Sequence, residues 1–259
     1  MNNILAITRK ELRGYFASPI AWMMIGAFAL LVGGFFTATL TYFIRASMQM
    51  DSIGAMGQQQ PPLNINQQLI RPLFMNVSVI ALFVLPMLTM RTYSEEKRSG
   101  TIELLLTSPV TDFEIIAGKF LGTVAVYVLM LLVTVVHVGV LFVYGEPEWQ
   151  SIATGYLGLL LMGSAFLSIG LFISSTTKNQ IVAVMMTFSV LLLLWIVSWF
   201  ADNASPTAQA VLRHLSIIEH FDDFAKGVID TTHVVYYLSF IAFGLFLTAK
   251  SVDAERWRG

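Results

Sequence analysis

Ionisable side chains are scarce in this chain, and they gather at a few places. The densest cluster is Glu95-Glu96-Lys97-Arg98, inside residues 93–110, which read Y-S-E-E-K-R-S-G-T-I-E-L-L-L-T-S-P-V. Mixed charge beside Ile102, Leu105 and Leu106 suits docking rather than catalysis: charges set register and an apolar face supplies affinity. A second group is Glu219, His220, Asp222, Asp223, Asp230 and His233. These are metal-ligating residue types, but their spacing matches no ligand pattern, so no metal is expected. A third candidate is His137, within the uncharged run 120–144. An ionisable group at membrane depth marks a possible polar site. A neutral imidazole bonded to Thr134, to a hydroxyl on another helix or to backbone is the structural alternative. There is no G-x-x-x-x-G-K-[ST], no H-E-x-x-H, no G-x-S-x-G and no Cys. The chain therefore offers no phosphate loop, zinc-protease helix, serine nucleophile elbow or thiol chemistry. No catalytic residue and no cofactor of its own are expected.

The elements that must position these residues are membrane spans. The chain is 56% hydrophobic and 12% charged, with mean hydropathy +0.72. Soluble domains are about 25% charged. Six uncharged runs, 20–44, 72–90, 120–144, 152–174, 181–201 and 234–249, each approach the ~20 residues a bilayer crossing needs. The last is short and extends back through Thr231 or Thr232. Helices are expected, because lipid-facing backbone must satisfy its own hydrogen bonds. No alternating ten-residue segments of a membrane barrel occur. The fold class is all-α: a polytopic membrane protein with six transmembrane helices in one domain, 1–259.

Basic residues orient the array. The side that holds both termini carries Arg9, Lys10, Arg13, Arg91, Lys97, Arg98, Lys119, Lys178, Lys250, Arg256 and Arg258; the other carries Arg45, Arg71, Arg213 and Lys226. That asymmetry puts both termini in the cytoplasm. Acidic residues divide evenly. The N-terminus, with Arg9, Lys10, Glu11 and Arg13 and no cleavage site, does not read as a signal peptide. Net charge is −1, which gives no reason to expect nucleic acid.

Local signals fill in the connections. Residues 1–17, with Ile4, Leu5, Leu12, Tyr15 and Phe16 among charges, suit an amphipathic helix in the cytoplasmic interface. Ser99 or Thr101 can cap a helix whose apolar face is Ile102, Leu105 and Leu106, with Glu103 in its first turn. Thr111-x-x-Glu114 has capping-box spacing, so a helix can start there and run into span three. Ser164 and Ser168, with Gly163 and Gly170, favour close packing of span four. Glu146-Pro147-Glu148-Trp149 reads as a short outer turn. Residues 45–71 read as an outer polar loop, low in complexity at Gln58-Gln59-Gln60-Pro61-Pro62. Within 205–230, Ser205-Pro206 starts a helix with the stripe Ala208, Val211, Leu212 and Leu215. Phe221, Phe224 and Val228 give a second stripe. Both short helices are expected to dip into the outer leaflet.

With these segments placed, the chain resembles the ABC-2 type transporter permeases, the transmembrane subunits of ATP-binding-cassette exporters. The carriers are R-K-E-L-R-G-Y-F-A-S-P at 9–19, E-E-K-R-S-G-T-I-E-L-L-L-T-S-P-V at 95–110 and H-F-D-D-F-A-K-G-V-I-D at 220–230. The last is similar to the gliding-motility-type branch. The resemblance implies that 93–110 is a coupling loop seated in a groove of the ATPase. Glu95, Glu96, Lys97, Arg98, Gly100, Thr101, Glu103, Leu105 and Leu106 would form that contact. Arg9, Lys10, Arg13 and Lys178 would add a second one. The 205–230 segment would form outer re-entrant helices. The implied partners are two copies of an ATP-binding subunit, which bind the ATP and Mg, a second permease copy or paralogue, and membrane lipid. A gliding-type system can add an auxiliary membrane protein with a large external domain. The implied location is the bacterial inner (plasma) membrane, with several passes. A secondary transporter or channel is the rival reading, and would work without ATP. A membrane-embedded enzyme would need a catalytic constellation at membrane depth, where only His137 is available.

Overall fold

The computed structural model describes residues 2–55, 63–106 and 109–256. Among them every regular element is helical. In chain order these are α1 (Asn2–Ala17), α2 (Pro19–Ala55), α3 (Arg71–Thr89), α4 (Ser94–Ser99), α5 (Thr101–Leu106), α6 (Asp112–Tyr144), α7 (Trp149–Thr176), α8 (Gln180–Ile196), α9 (Pro206–Leu215), α10 (Ile217–Ala225) and α11 (Thr231–Arg256). Six of the helical stretches are long and apolar enough to cross a membrane: Pro19–Met50, Asn66–Ser99, Asp112–Tyr144, Trp149–Thr176, Gln180–Ala201 and Thr231–Glu255. They contain the six uncharged runs of the sequence.

The helix starts follow local chemistry. Pro19 opens α2 after the bend at Ser18; proline fits a first helical position, where its missing N–H is not needed. Thr111 forms the expected capping box: Glu114 N donates to Thr111 Oγ1 at 3.3 Å and Thr111 N to Glu114 Oε2 at 3.0 Å. Asn179 caps α8 through Ile181 N at 2.9 Å.

The hub is α7, the most buried of the six crossing helices, which packs against α3, α6, α8, α10 and α11. Its small residues permit this. A Cβ on Gly155 would lie 2.1 Å from Phe74 Cε2, one on Gly163 2.1 Å from Tyr127 Cε1, and one on Gly170 2.1 Å from Thr89 Oγ1. Ser168 is fully buried where Gly244 of α11 crosses. Backbones approach closely wherever side chains are minimal.

Three expectations need correction. The outer polar loop does not span 45–71: α2 continues to Ala55, and a π-helical stretch, Asn66–Ile70, leads straight into α3. The run from Ala46 to Ser52 contains no Pro or Gly, so nothing stops the helix at Arg45. Gln58 to Pro62 lie outside the described residues. Second, the outer segment splits. The α9 stripe stays unburied, with Val211 and Leu215 exposed, but Phe221 and Phe224 of α10 are fully buried against the helical core and do not face lipid. Val228 lies beyond the α10 end and is exposed; the chain turns at Gly227, whose φ of 90° suits glycine. Third, the helix expected from Thr101 is present as α5, but the charged cluster before it is itself helical and forms α4. They are divided by Gly100 at φ 75°, the left-handed conformation that ends helices.

Tyr127 cannot retreat from α7, because its hydroxyl donates to Leu159 O at 2.9 Å. Gly163→Ala is therefore expected to lower stability by about 1–3 kcal/mol through overpacking. Gly139→Ala, with nothing within 4 Å of the new carbon, should be neutral or stabilising by up to about 1 kcal/mol. Thermal unfolding of the detergent-solubilised variants checks both.

Candidate functional site

At the end of the bundle that holds both termini, a buried ammonium organises the connections. Lys119 lies in the second turn of α6 with 1% of its side chain exposed. Its Nζ donates to Glu11 Oε1 of α1 at 3.0 Å and to Thr92 O at 2.9 Å, and pairs with Glu96 Oε1 of α4 at 2.9 Å. It also sits 5.0 Å above the centre of the Tyr93 ring. Lys10 reaches Glu96 Oε1 at 3.2 Å from the solvent side, so two cations and two carboxylates form a neutral group. The second Glu96 oxygen is buried and has no hydrogen-bond partner.

Lys119 is reachable by α1 because it lies between Gly118 and Gly122. A Cβ at Gly118 would lie 2.7 Å from Ile7 Cβ, and one at Gly122 2.8 Å from Glu11 Cβ. The small-xxx-small face lets α1 lie on α6 and places Glu11 over the lysine. Thr8 Oγ1 donates to Gly118 O at 3.2 Å. Tyr15 donates to Leu88 O at 2.9 Å, and its burial pushes the phenol well above its ordinary pKa. Sequence reasoning counted Lys119 for topology alone and passed over this glycine pair; G-K-F-L-G at 118–122 was the signal.

The short helix α4 is fastened on its other sides as well. Lys97 is buried and pairs with Glu255 Oε2, near the end of α11, at 2.8 Å. Ser174 of α7 accepts from Tyr93 N at 3.1 Å and Ser94 N at 3.2 Å, and its hydroxyl donates to Met90 O. Tyr93, Ile102, Leu171 and Val252 make a small apolar cluster beneath α4 and α5. Glu95 pairs with Arg91 at 2.8 Å on the surface. Arg98, Gly100, Thr101 and Glu103 are exposed, as are Arg9, Arg13 and Lys178; Lys10 is exposed but reaches inward to Glu96. The side chains of Leu105 and Leu106 lie outside the described residues. The cluster read as one docking surface is thus two-sided: Glu96 and Lys97 brace the bundle, while Arg98, Thr101 and Glu103 face out. A cavity of about 250 Å³ opens beside it, lined by Lys10, Glu11, Tyr15, Arg91 and Glu96 among others.

His137 stands apart from this site. Its ring packs 5.3 Å from Phe36, and its Nε2 is 3.1 Å from where a Cβ on Gly33 would be. Thr134 bonds to Leu131 O and Tyr156 and not to His137, whose Nδ1 is buried without a partner.

An all-helical chain with six crossing helices is the architecture that the resemblance to ABC-2 permeases implies. Residues 5–249 match the family described as ABC-2 family transporter protein. The chain belongs to that family. Two relatives from Escherichia coli, strain K12 and O157:H7, carry the name "Probable multidrug ABC transporter permease YbhR". Each is 25% identical over 154 residues, 59% of this chain. The match spans 41% of the length of each relative. These comparisons carry the family and not the gliding-type branch within it.

Removing one partner of a buried charge group leaves the others uncompensated. Lys119→Met is expected to cost about 3–5 kcal/mol of stability. Adding Glu11→Gln and Glu96→Gln to it should restore much of that loss. Denaturant unfolding of the single and triple variants measures the difference. A loss under about 1 kcal/mol for Lys119→Met would mean that the ammonium is solvated and organises nothing.

Proposed function

We propose that this permease is driven by a separate ATP-binding subunit that seats against the exposed face of α4 and α5. The observation that carries the reading is the fastening of α4. Six residues long, it contacts α1 and α6 through Glu96 and Lys119, α7 through Ser174 and α11 through Lys97 and Glu255. A push on such an element is delivered to four helices at once. A loop serving as a connector alone would need none of these bonds. Two ATP-binding subunits would act on two permease copies, with ATP and Mg held outside this chain. The output is export of a substrate, or mechanical work if the complex is of the gliding type. The excess of basic residues at this end supports a cytoplasmic side for it and for both termini, with the permease in a bacterial inner membrane.

Orientation is tested with single cysteines, which report cleanly because the chain has none. Ser99→Cys and Lys178→Cys should resist an impermeant thiol reagent in intact cells, and Ala208→Cys should label. Labelling of Ser99→Cys from outside would reverse the assignment.

Coupling is tested by separating the two faces of α4 and α5. Arg98→Glu with Glu103→Lys, or Leu105→Ala with Leu106→Ala, should weaken capture of the ATP-binding subunit by tenfold or more, about 1.4 kcal/mol. Lys97→Met should leave capture near wild type and lower transport per ATP hydrolysed. Wild-type values of both quantities in every variant would make 93–110 an ordinary connector.

A further inference from the structure

At the opposite end of the bundle, α9 and α10 meet the start of α11 through a chain of hydrogen-bonding groups. His220 Nε2 lies 3.0 Å from His214 O, near the end of α9. His220 Nδ1 lies 2.7 Å from His233 Nδ1, and His233 Nε2 lies 2.9 Å from Asp223 Oδ2. The His220 ring is buried and stacks on Tyr236 at 3.7 Å.

Proton counting constrains this chain. A carbonyl oxygen accepts and cannot donate, so His220 Nε2 carries a hydrogen. If that ring is neutral, its Nδ1 presents a lone pair. An ionised Asp223 likewise requires a hydrogen on His233 Nε2. If His233 is neutral too, both Nδ1 atoms present lone pairs to each other at 2.7 Å. One more proton removes the conflict, and the chain becomes carbonyl, imidazole, imidazolium and carboxylate, with a hydrogen in every contact. A proton on Asp223 would satisfy the same contacts and leave the count unchanged. The His233 hydrogen bond, with Lys226 3.2 Å away, holds the Asp223 carboxyl below its ordinary range, which favours the rings. Burial lowers His220, which keeps it the neutral acceptor.

The surrounding charges agree with a bound proton. Asp222 pairs with Arg71 of α3 at 2.6 Å and with Lys226 at 2.5 Å. Asp230 caps Thr232 N at 2.7 Å, one residue before His233. Arg71, Lys226 and one proton balance Asp222, Asp223 and Asp230. From α9, the His214 ring lies 5.4 Å from that of His220, and Arg213 is exposed. Glu219 is exposed in the first turn of α10. From α11, Tyr237 donates to Ile217 O. The ionisable group of α7 is Tyr156, bonded to Thr134, and α8 has none. A metal fits the gap poorly. Metal–nitrogen bonds of about 2.0–2.1 Å would hold a tetrahedral pair of nitrogens about 3.4 Å apart. Among the described residues no group of three acidic, His or Cys side chains could hold a metal ion.

We propose that His220, His233 and Asp223 form a proton-binding site that latches α9 and α10 to α11 while the proton is bound. Losing the proton leaves two facing lone pairs and takes the cationic partner from Asp223, so the latch opens as pH rises. The carboxylate is what demands the extra proton. An amide in its place can donate to His233 Nε2, after which His233 Nδ1–H donates to His220 with no added proton.

The experiment is a spin-label distance measurement on the permease complex in nanodiscs from pH 5.5 to 9. The labels sit at Ala208→Cys on α9 and Leu238→Cys on α11, both exposed. The unmodified site should give one narrow distance at low pH and a growing longer population as pH rises, with or without EDTA. Asp223→Asn should stay latched across the whole range, and His233→Phe unlatched. No pH response, a response in Asp223→Asn like that of the parent, or a response abolished by EDTA would overturn the proposal, the last in favour of a metal.

Discussion

A lysine ammonium that keeps 1% of its side-chain surface must find its partners inside the protein. Taking such an ion out of water costs several kcal/mol, which its neighbours offset only if they are close and correctly aimed. Lys119 meets that demand with ligands from three chain segments: Glu11, Thr92 and Glu96. None is near it in sequence. The helix α1 must therefore lie on α6, α4 must fold back beneath them, and the turn after α3 must present a carbonyl. The glycines at 118 and 122 are the steric half of the same constraint, since a larger residue at either would lift Glu11 away. The helix α1 is thus an internal strut of the end that holds both termini.

A neutral group of two cations and two carboxylates has a further property. It has little net field to repel or attract an approaching surface, yet it resists displacement because moving any member strands the rest. Arg98, Thr101 and Glu103 lie on the exposed side of the same pair of helices. Buried and exposed charges thus share thirteen residues of chain, 91–103, and the alternation of inward Lys97 and outward Arg98 follows from helical geometry.

What the sequence disclosed was local. The six crossings follow from runs of apolar residues, and the Thr111–Glu114 capping box depends on atoms three residues apart. The close packing of α7 was visible in Gly163, Ser164, Ser168 and Gly170. What stayed hidden was pairing over distance. Lys97 and Glu255 are 158 residues apart, and nothing in a charge run says which member turns inward. The burial of Phe221 and Phe224 was obscured because an apolar stripe reads alike whether it faces lipid or protein. Arg45 reads as a helix end because charge usually marks the membrane boundary. A helix continues past the boundary when no Pro or Gly stops it.

The two ends of the molecule are joined by one rod. The helix α11 runs unbroken from Thr231 to Arg256, with no proline to kink it. Near its start, His233 engages His220 and Asp223; near its end, Glu255 holds Lys97. These attachment points are 22 residues apart, or about 33 Å along a helix rising 1.5 Å per residue. Midway, Gly244 lies against Ser168 of α7, where a Cβ would be 2.5 Å from Ser168 Oγ, so the rod has a close crossing at its centre and polar fastenings at both ends. A shift of α4 would carry Glu255 with it. A rigid helix bearing on a central crossing would carry such a shift towards His233. The 2.7 Å contact of His233 with His220 is thereby joined through one helix to the Lys97–Glu255 pair at the other end.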